Sequence, residues 1–486
     1  MANKEQTTSS QSGLKLNWKR TFLIGFAFFG ILLLWQVYDS WCPTLLTQLF
    51  NQYIYHGEAG HEEDVQYLVG VMMAMDNLAA LILLPIFGHL SDKTHTKIGK
   101  RMPYILVGTF VCAIAFPFIP LFFHMNNLAG TIAMMAIVVT FAMMYRNPAV
   151  SLMPDMTPKP LRSKANGIIN IMGYIGGAFA TVVGMVFVLS EYLGTKKTSD
   201  GSFAPHTWQY HNIWAIEAPF LIASVLMVIS ALVLFFNIRE NEIEKEMAPQ
   251  MAEGEKMSEA AAPTDDDKPM SKENRVMLLL ILVAEFFWFM ADNGIGTFMG
   301  NYTVYYLGAS TRSNMINTIV GGIGSVIGFA LGGIIASKIG RKWTLLSGLG
   351  ITLFGYLLWL VLNFTVLKGS AGSGTFPWEI YVIWAVKGFG MSLVHVNSYP
   401  MVVELCSTKK IGRFTGYYYA SSMAAQTVTP CLLGLLLLSP SIHFGFLPIY
   451  ALCCLSVSFL VFLFVKNVKL EKTSIKTGLE SMDMDD

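Results

Sequence analysis

Two aspartates stand where an apolar surrounding makes them costly. Asp39 follows Trp35 by four residues inside one long apolar run, and Asp292 follows Trp288 by four inside another, half the chain later. A carboxylate at the centre of a bilayer costs about 2.5–3.5 kcal/mol on insertion scales, so it is kept where it exchanges a proton or holds a counter-charge. Asp76, Arg146, Glu217, Glu285, Lys387 and His395 fall at similar depth in other apolar runs. Arginine can grip a carboxylate through two parallel hydrogen bonds, whereas lysine acts as a mobile point charge. An Arg146–Asp39 or Arg146–Asp76 pair would give a carboxyl group whose protonation depends on occupancy and access. The structural alternative is a permanent buried salt bridge that only fixes packing. His395 is either a proton relay or a satisfied core histidine.

Polar and aromatic side chains at the same depth suit a hydroxyl-rich solute. Glu285, Trp288 and Asp292 recur at spacings of three and four, which places them on one helical face, and Asn293 and Gly296 extend it. Trp35, Asp39 and Cys42 make a similar face on the first run. Both faces are expected to line a central cavity. Candidate proton-coupling groups are Asp39, Asp76, Arg146, Glu285, Asp292 and His395. Candidate substrate contacts are Trp35, Tyr38, Asn77, Asn147, Trp288, Asn293, Lys387 and Asn397.

The elements that must position these residues are membrane spans. Of the 486 residues 53% are hydrophobic and 13% charged, against about 25% charged in soluble domains, so a water-facing surface of normal size is excluded. A net charge of +1 offers nothing to a nucleic acid. Twelve apolar runs are long enough to cross about 30 Å of hydrocarbon. They cover 21–45, 66–90, 103–123, 128–150, 165–189 and 212–237, then 276–300, 316–338, 343–366, 378–403, 414–438 and 445–465. The fold class is therefore an all-α membrane protein of twelve helices in two six-helix halves, 21–238 and 275–466. A polar tail (1–20), a linker (239–274) and a second tail (467–486) complete the chain. Dense charge, including Asp265, Asp266 and Asp267, predicts a mostly disordered linker with at most a short helix at its start.

Lysine and arginine concentrate before span 1 and after spans 2, 4, 8 and 10, for example Lys93, Lys100, Arg101, Lys159, Arg162, Arg341, Lys409 and Arg413. The opposite loops are poor in them; the loop after span 1 carries Glu58, Glu62, Glu63 and Asp64 alone. Positive-inside logic places both termini in the cytoplasm of a multi-pass plasma-membrane protein. The polar start leads into an uncleaved first span. Six cysteines, none spaced with histidine as metal ligands, read as small buried hydrophobes, and no metal or cofactor is expected. Without a Walker lysine loop, ATP-driven transport has no support.

The halves echo each other at these basic loops. Gly88 to Asp92 and Gly99-Lys100-Arg101 follow span 2; Gly333 to Lys338 and Gly340-Arg341-Lys342 follow span 8. Asp155 and Arg162 after span 4 match Glu404 and Arg413 after span 10. With Asp92 and Arg101 these form a candidate cytoplasmic gate of inter-helix charge pairs. The loop after span 2 resembles the signature loop of the major facilitator superfamily. Its longer form, Ser91 through Ile105, resembles that of sucrose:proton symporters. Arg146-Asn147-Pro148-Ala149 with Leu152 to Asp155 is similar to that group and to the glycoside-pentoside-hexuronide:cation symporters. Two positions depart from those patterns. Around Val138-Val139-Thr140 there is no acid like that of plant-type sucrose carriers, and Met72 and Ala80 flank Asp76 where melibiose-type carriers pair two acids.

The resemblance implies a monomeric, non-enzymatic carrier that moves a small sugar, a di- or oligosaccharide, with protons in preference to sodium. An exporter of amphiphilic compounds and a non-transporting nutrient sensor on the same scaffold are the competing readings.

Overall fold

Helices with backbone groups bonded within the segment are the structures an apolar chain can place in hydrocarbon. A computed structural model describes residues 14–58, 60–189, 213–260, 272–365, 372–405, 411–439 and 442–466. Lys409, Cys406, Asp265 to Asp267, residues 1–13 and the tail from 467 lie outside the described residues. Twelve helical segments are long and apolar enough to span a membrane, and no strand occurs among the described residues.

The first half contains α1 (Trp18–Tyr55), α2 (Gln66–Lys93), α3 (Met102–Ala115), α4 (Phe118–His124), α5 (Leu128–Asp155), α6 (Arg162–Val186) and α7 (Trp214–Asn237). A linking helix α8 (Glu240–Ala260) leads to α9 (Lys272–Asn301), α10 (Thr311–Ile339), α11 (Arg341–Phe364), α12 (Trp378–Val403), α13 (Ile411–Leu437) and α14 (Leu447–Leu463). The third span is split into α3 and α4 at Phe116-Pro117, because Pro117 has no N–H to continue the ladder. Side-chain caps start several helices: Asn17 accepts from the Arg20 N–H at 3.1 Å and Asn127 from the Gly130 N–H at 2.9 Å. Each half encloses its own apolar core, with Met315 of α10 reaching into the first. Close helix contact rests on missing side chains. A Cβ at Gly176 would stand 2.3 Å from the Phe29 carbonyl oxygen, and one at Gly324 would stand 2.1 Å from that of Ala385.

The linker departs from expectation. Instead of a mostly disordered segment, a 21-residue helix runs through Glu240–Ala260. Its Glu, Lys, Met and Ala residues are good helix formers, and their propensity outweighs the charge density. Glu240 is buried and its carboxylate accepts from the N–H groups of Arg101 at 3.0 Å and Met102 at 3.1 Å, capping α3. Asn241 donates to the carbonyls of Thr96 and Lys97 at 2.9 and 3.0 Å. The linker helix is thus docked on the first half at the basic end of the bundle.

Hydrogen bonds join the two halves at the end opposite the basic loops. Asn301, wholly buried at the end of α9, accepts from the Thr44 hydroxyl at 3.0 Å and donates to Thr47 Oγ1 at 3.0 Å and Gln66 Oε1 at 2.9 Å. Gln66 donates to Thr47 Oγ1 at 3.1 Å and to the Glu62 carbonyl at 2.6 Å, while Gln48 donates to the Tyr305 hydroxyl at 2.8 Å. A π-helical turn, Tyr302–Tyr306, presents Tyr305. Arg312 donates to the Met185 carbonyl at 2.9 Å, and Glu63 accepts from the Phe444 N–H at 2.8 Å. This seam closes one end.

Asn301→Ala strands several buried partners, each costing about 1–3 kcal/mol when unsatisfied. The expected result is a roughly 10–100-fold shift toward a seam-open state. Alkylation of a Ser40→Cys probe on the cavity wall, by an impermeant reagent added at the seam end, measures it. An unchanged rate would show that Asn301 does not hold the halves together.

Candidate functional site

Between the halves lies a cavity of about 620 Å³, within the ~300–1,000 Å³ range of small-molecule sites. α1 contributes Trp35, Gln36, Asp39 and Ser40, α2 Asp76 and Asn77, and α5 Arg146. The facing wall holds Asp292 and Asn293 from α9 and Trp384, Lys387 and His395 from α12. Nine of the residues expected at the site therefore come together: Trp35, Asp39, Asp76, Asn77, Arg146, Asp292, Asn293, Lys387 and His395.

The two walls treat their charges differently. Lys387 forms an ion pair with Asp292, with His395 close enough to act on both and its ring 5.4 Å from that of Phe289. On the other wall, Arg146 acts on Asp39 through space but reaches neither Asp39 nor Asp76 at ion-pair distance. Asp76 accepts instead from its neighbour Asn77, at 2.6 Å from the backbone N–H and 3.2 Å from the side chain. The first half's wall thus carries two carboxylates and one guanidinium, against one carboxylate with its own ammonium on the second. Two lining residues also keep uncommitted polar atoms. Trp35 Nε1 and Asn293 Oδ1, a donor and an acceptor from opposite halves, are buried without a hydrogen-bond partner.

Five expected residues lie off the cavity. Tyr38 is buried in the first core, its ring 5.6 Å from that of Trp35. Asn147 donates to the Leu84 carbonyl at 2.7 Å and fastens α5 to α2. Asn397 is buried and donates to the Leu393 carbonyl at 2.8 Å. Glu285 and Trp288 are wholly buried within the second half. The face shared by Glu285, Trp288 and Asp292 therefore does not line the cavity throughout: over its early turns α9 is enclosed by α13 and α14, from which Ser421 and Ser458 donate to the carbonyls of Leu282 and Ala284. Sequence reasoning missed Tyr174, Asn314, Thr318, Tyr419 and Gln426, which complete the lining. Their signal was a neutral polar group on an otherwise apolar helix, with Asn314 and Thr318 one turn apart.

At the basic end, charges pair inside each half. Arg101 is buried and bonds Asp155 at 2.9 Å, Asp92 at 2.5 Å and Ser91 Oγ at 2.5 Å. Arg162 donates to the carbonyls of Thr157 and Pro154. Glu404 is held by Arg341 at 2.9 Å, whereas Arg413 donates to the Tyr417 hydroxyl at 2.5 Å on its own helix. Arg341, not Arg413, is thus the partner in the second half, since it starts α11 directly beside the end of α12. Among the described residues no ion pair at this end joins the halves.

The model described as Major Facilitator Superfamily matches residues 2–181, 69–376 and 281–481. The chain belongs to the Major Facilitator Superfamily. Among superfamily proteins of known description, it is 24% identical over 300 residues to an isoprimeverose transporter of Lactiplantibacillus pentosus, covering 60% of this chain and 56% of that one. It is 25% identical over 321 residues to a raffinose carrier protein of Pediococcus pentosaceus, covering 62% and 46%. The matches span about half the length of these relatives. In fold, the chain is similar to the xylose transporter XylE from E. coli in a partially occluded inward open conformation. That likeness has a TM-score of 0.63 at 14% identity and covers 94% of this chain and 100% of that one. The peptide transporter PepTSo gives a TM-score of 0.61 at 12% identity, covering 93% and 97%. Twelve apolar helices in this superfamily make the chain an integral membrane protein.

Proposed function

We propose that this protein is a secondary active transporter that carries a sugar, a di- or oligosaccharide, together with a proton by alternating access. The observation that carries the reading is the unequal charge on the two cavity walls: Asp39 and Asp76 stand with one cation, Arg146, while Asp292 is paired with Lys387. One carboxylate of the first half therefore lacks a full counter-charge in a low-dielectric site until a cation arrives, which is what coupling requires. A proton suits this wall better than sodium, because Met72 and Ala80 offer no second carboxylate one turn from Asp76. The uncommitted Trp35 Nε1 and Asn293 Oδ1 suit a hydroxyl-bearing solute, and Trp35 and Trp384 offer flat faces for its ring. The sugar-carrier descriptions of the two bacterial relatives support the same substrate class.

The basic end faces the cytoplasm of a plasma membrane, both termini lie on that side, and the chain acts as a monomer. On this orientation the seam seals the outer end. Proteoliposomes loaded with a pH dye test the reading against a panel of mono- and disaccharides, with and without sodium. Acidification of the lumen by one glycoside, independent of sodium, is expected. Sodium-dependent uptake without acidification would replace the proton, and silence to every sugar would overturn the sugar assignment.

A further inference from the structure

At the seam end, the turn before α2 meets the turn before α14. The Glu63 carboxylate accepts from the Phe444 N–H at 2.8 Å, binding the first half's loop to the 3-10 turn Phe444–Phe446. That turn is firmly seated on the second half. Asn363 donates to the Gly445 carbonyl at 3.1 Å, and His443 accepts from the Gly445 N–H at 3.0 Å while stacking on Tyr306 at 5.2 Å. The loop on the other side is tied into the seam network, because Gln66 holds the Glu62 carbonyl and also bonds Asn301. Glu63 thus joins two anchored pieces across the line along which the halves must part.

Beyond the Phe444 N–H, the described groups around Glu63 give its charge no counter-charge. Its own loop supplies Glu58, Glu62 and Asp64, with His61 held by Asp64 at 2.7 Å; the second half supplies Tyr306 and His443. Among the described residues no lysine or arginine pairs with it.

We propose that Glu63 is a protonation-controlled latch on the seam: neutral, it holds the loop on the Phe444 turn and keeps the seam shut, and ionised, it needs water and favours the open seam. A protonated carboxyl group still offers its carbonyl oxygen to the Phe444 N–H, so the bond survives protonation. Partial burial lifts the Glu63 carboxyl from its ordinary 4.5 to about 7, with the Phe444 N–H opposing and Glu62 and Asp64 adding to the rise. Burial pushes the imidazole of His443 down, away from the neutral range. The sign follows by linkage. The shut state keeps its proton up to about pH 7, whereas an exposed carboxyl releases it near its ordinary value, so the advantage of the shut state is lost as pH rises through that window. Between about pH 5.5 and about pH 8 the open-to-shut ratio changes about 30-fold. The latch concerns the seam itself and does not depend on which solute is carried.

The test uses the full chain, depleted of native cysteines, in lipid nanodiscs without substrate. Spin labels at Tyr53→Cys and Trp378→Cys, both well exposed at the seam end of opposite halves, report its width by pulsed electron resonance. The unaltered latch is expected to open about 30-fold over that pH range, and Glu63→Gln to hold the acid-side distribution at every pH. A Glu63→Gln protein that keeps the pH response, a native seam indifferent to pH, or opening in acid would each overturn the proposal.

Discussion

Asp39→Asn is expected to abolish accumulation of solute against its gradient while leaving downhill exchange intact. Asparagine keeps the shape of a protonated aspartate but cannot release a proton, so the first-half wall is left permanently in its loaded form. Asp39 lines the cavity in reach of Arg146 and Asp76, where a charge change on one group is felt by the other two. One unit of pH gradient is worth about 1.4 kcal/mol, or tenfold in concentration. The variant should therefore lose at least about that factor in proteoliposomes carrying a one-unit gradient, its internal and external solute levelling out. Continued concentration by Asp39→Asn would transfer the coupling role to Asp76.

Trp288→Ala is expected to act on stability and not on recognition. The indole is wholly buried in the second half's core and lies off the cavity. Removing it leaves a void that the surrounding helices only partly fill, and truncations of this size cost about 3–5 kcal/mol. Thermal unfolding in detergent should show the loss, while the surviving folded fraction binds solute with unchanged affinity. Trp35→Ala, by contrast, should weaken binding with little change in midpoint. An unaltered midpoint together with weaker binding for Trp288→Ala would return Trp288 to the cavity wall.

This reversal shows where the sequence was legible and where it was not. Apolar runs of the right length appear directly as helices, because a backbone in hydrocarbon has so few alternatives. The mid-span charges were legible for a related reason: Asp39, Asp76, Arg146, Asp292 and Lys387 are costly enough to need a shared polar space, and they meet in one. Periodicity alone could not separate Trp288 from Trp35. It assigns a face, but whether that face meets a cavity or another helix is set by α13 and α14, remote in sequence. The seam was missed altogether, since Asn301, Gln66, Gln48 and Thr47 are uncharged and resemble ordinary turn and cap residues. In the linker, the charge density points to disorder, but the helix propensity of its Glu, Lys, Met and Ala residues prevails over Glu240–Ala260.

The neutrality of the seam's buried core bears on how the protein responds to membrane voltage. A charge crossing the membrane potential does about 2.3 kcal/mol of work per 100 mV, whereas dipoles of amides and hydroxyls do little. The buried network of Thr44, Thr47, Gln48, Gln66, Asn301 and Tyr305 carries no formal charge, so parting and rejoining it moves almost nothing through the field. Electrical sensitivity then rests on the charged side chains of the cavity with whatever they carry, and on Glu63 and Arg312 beside that network. Currents recorded without solute should be small, and the voltage dependence of the cycle should fall when the charge imbalance around Arg146 is removed.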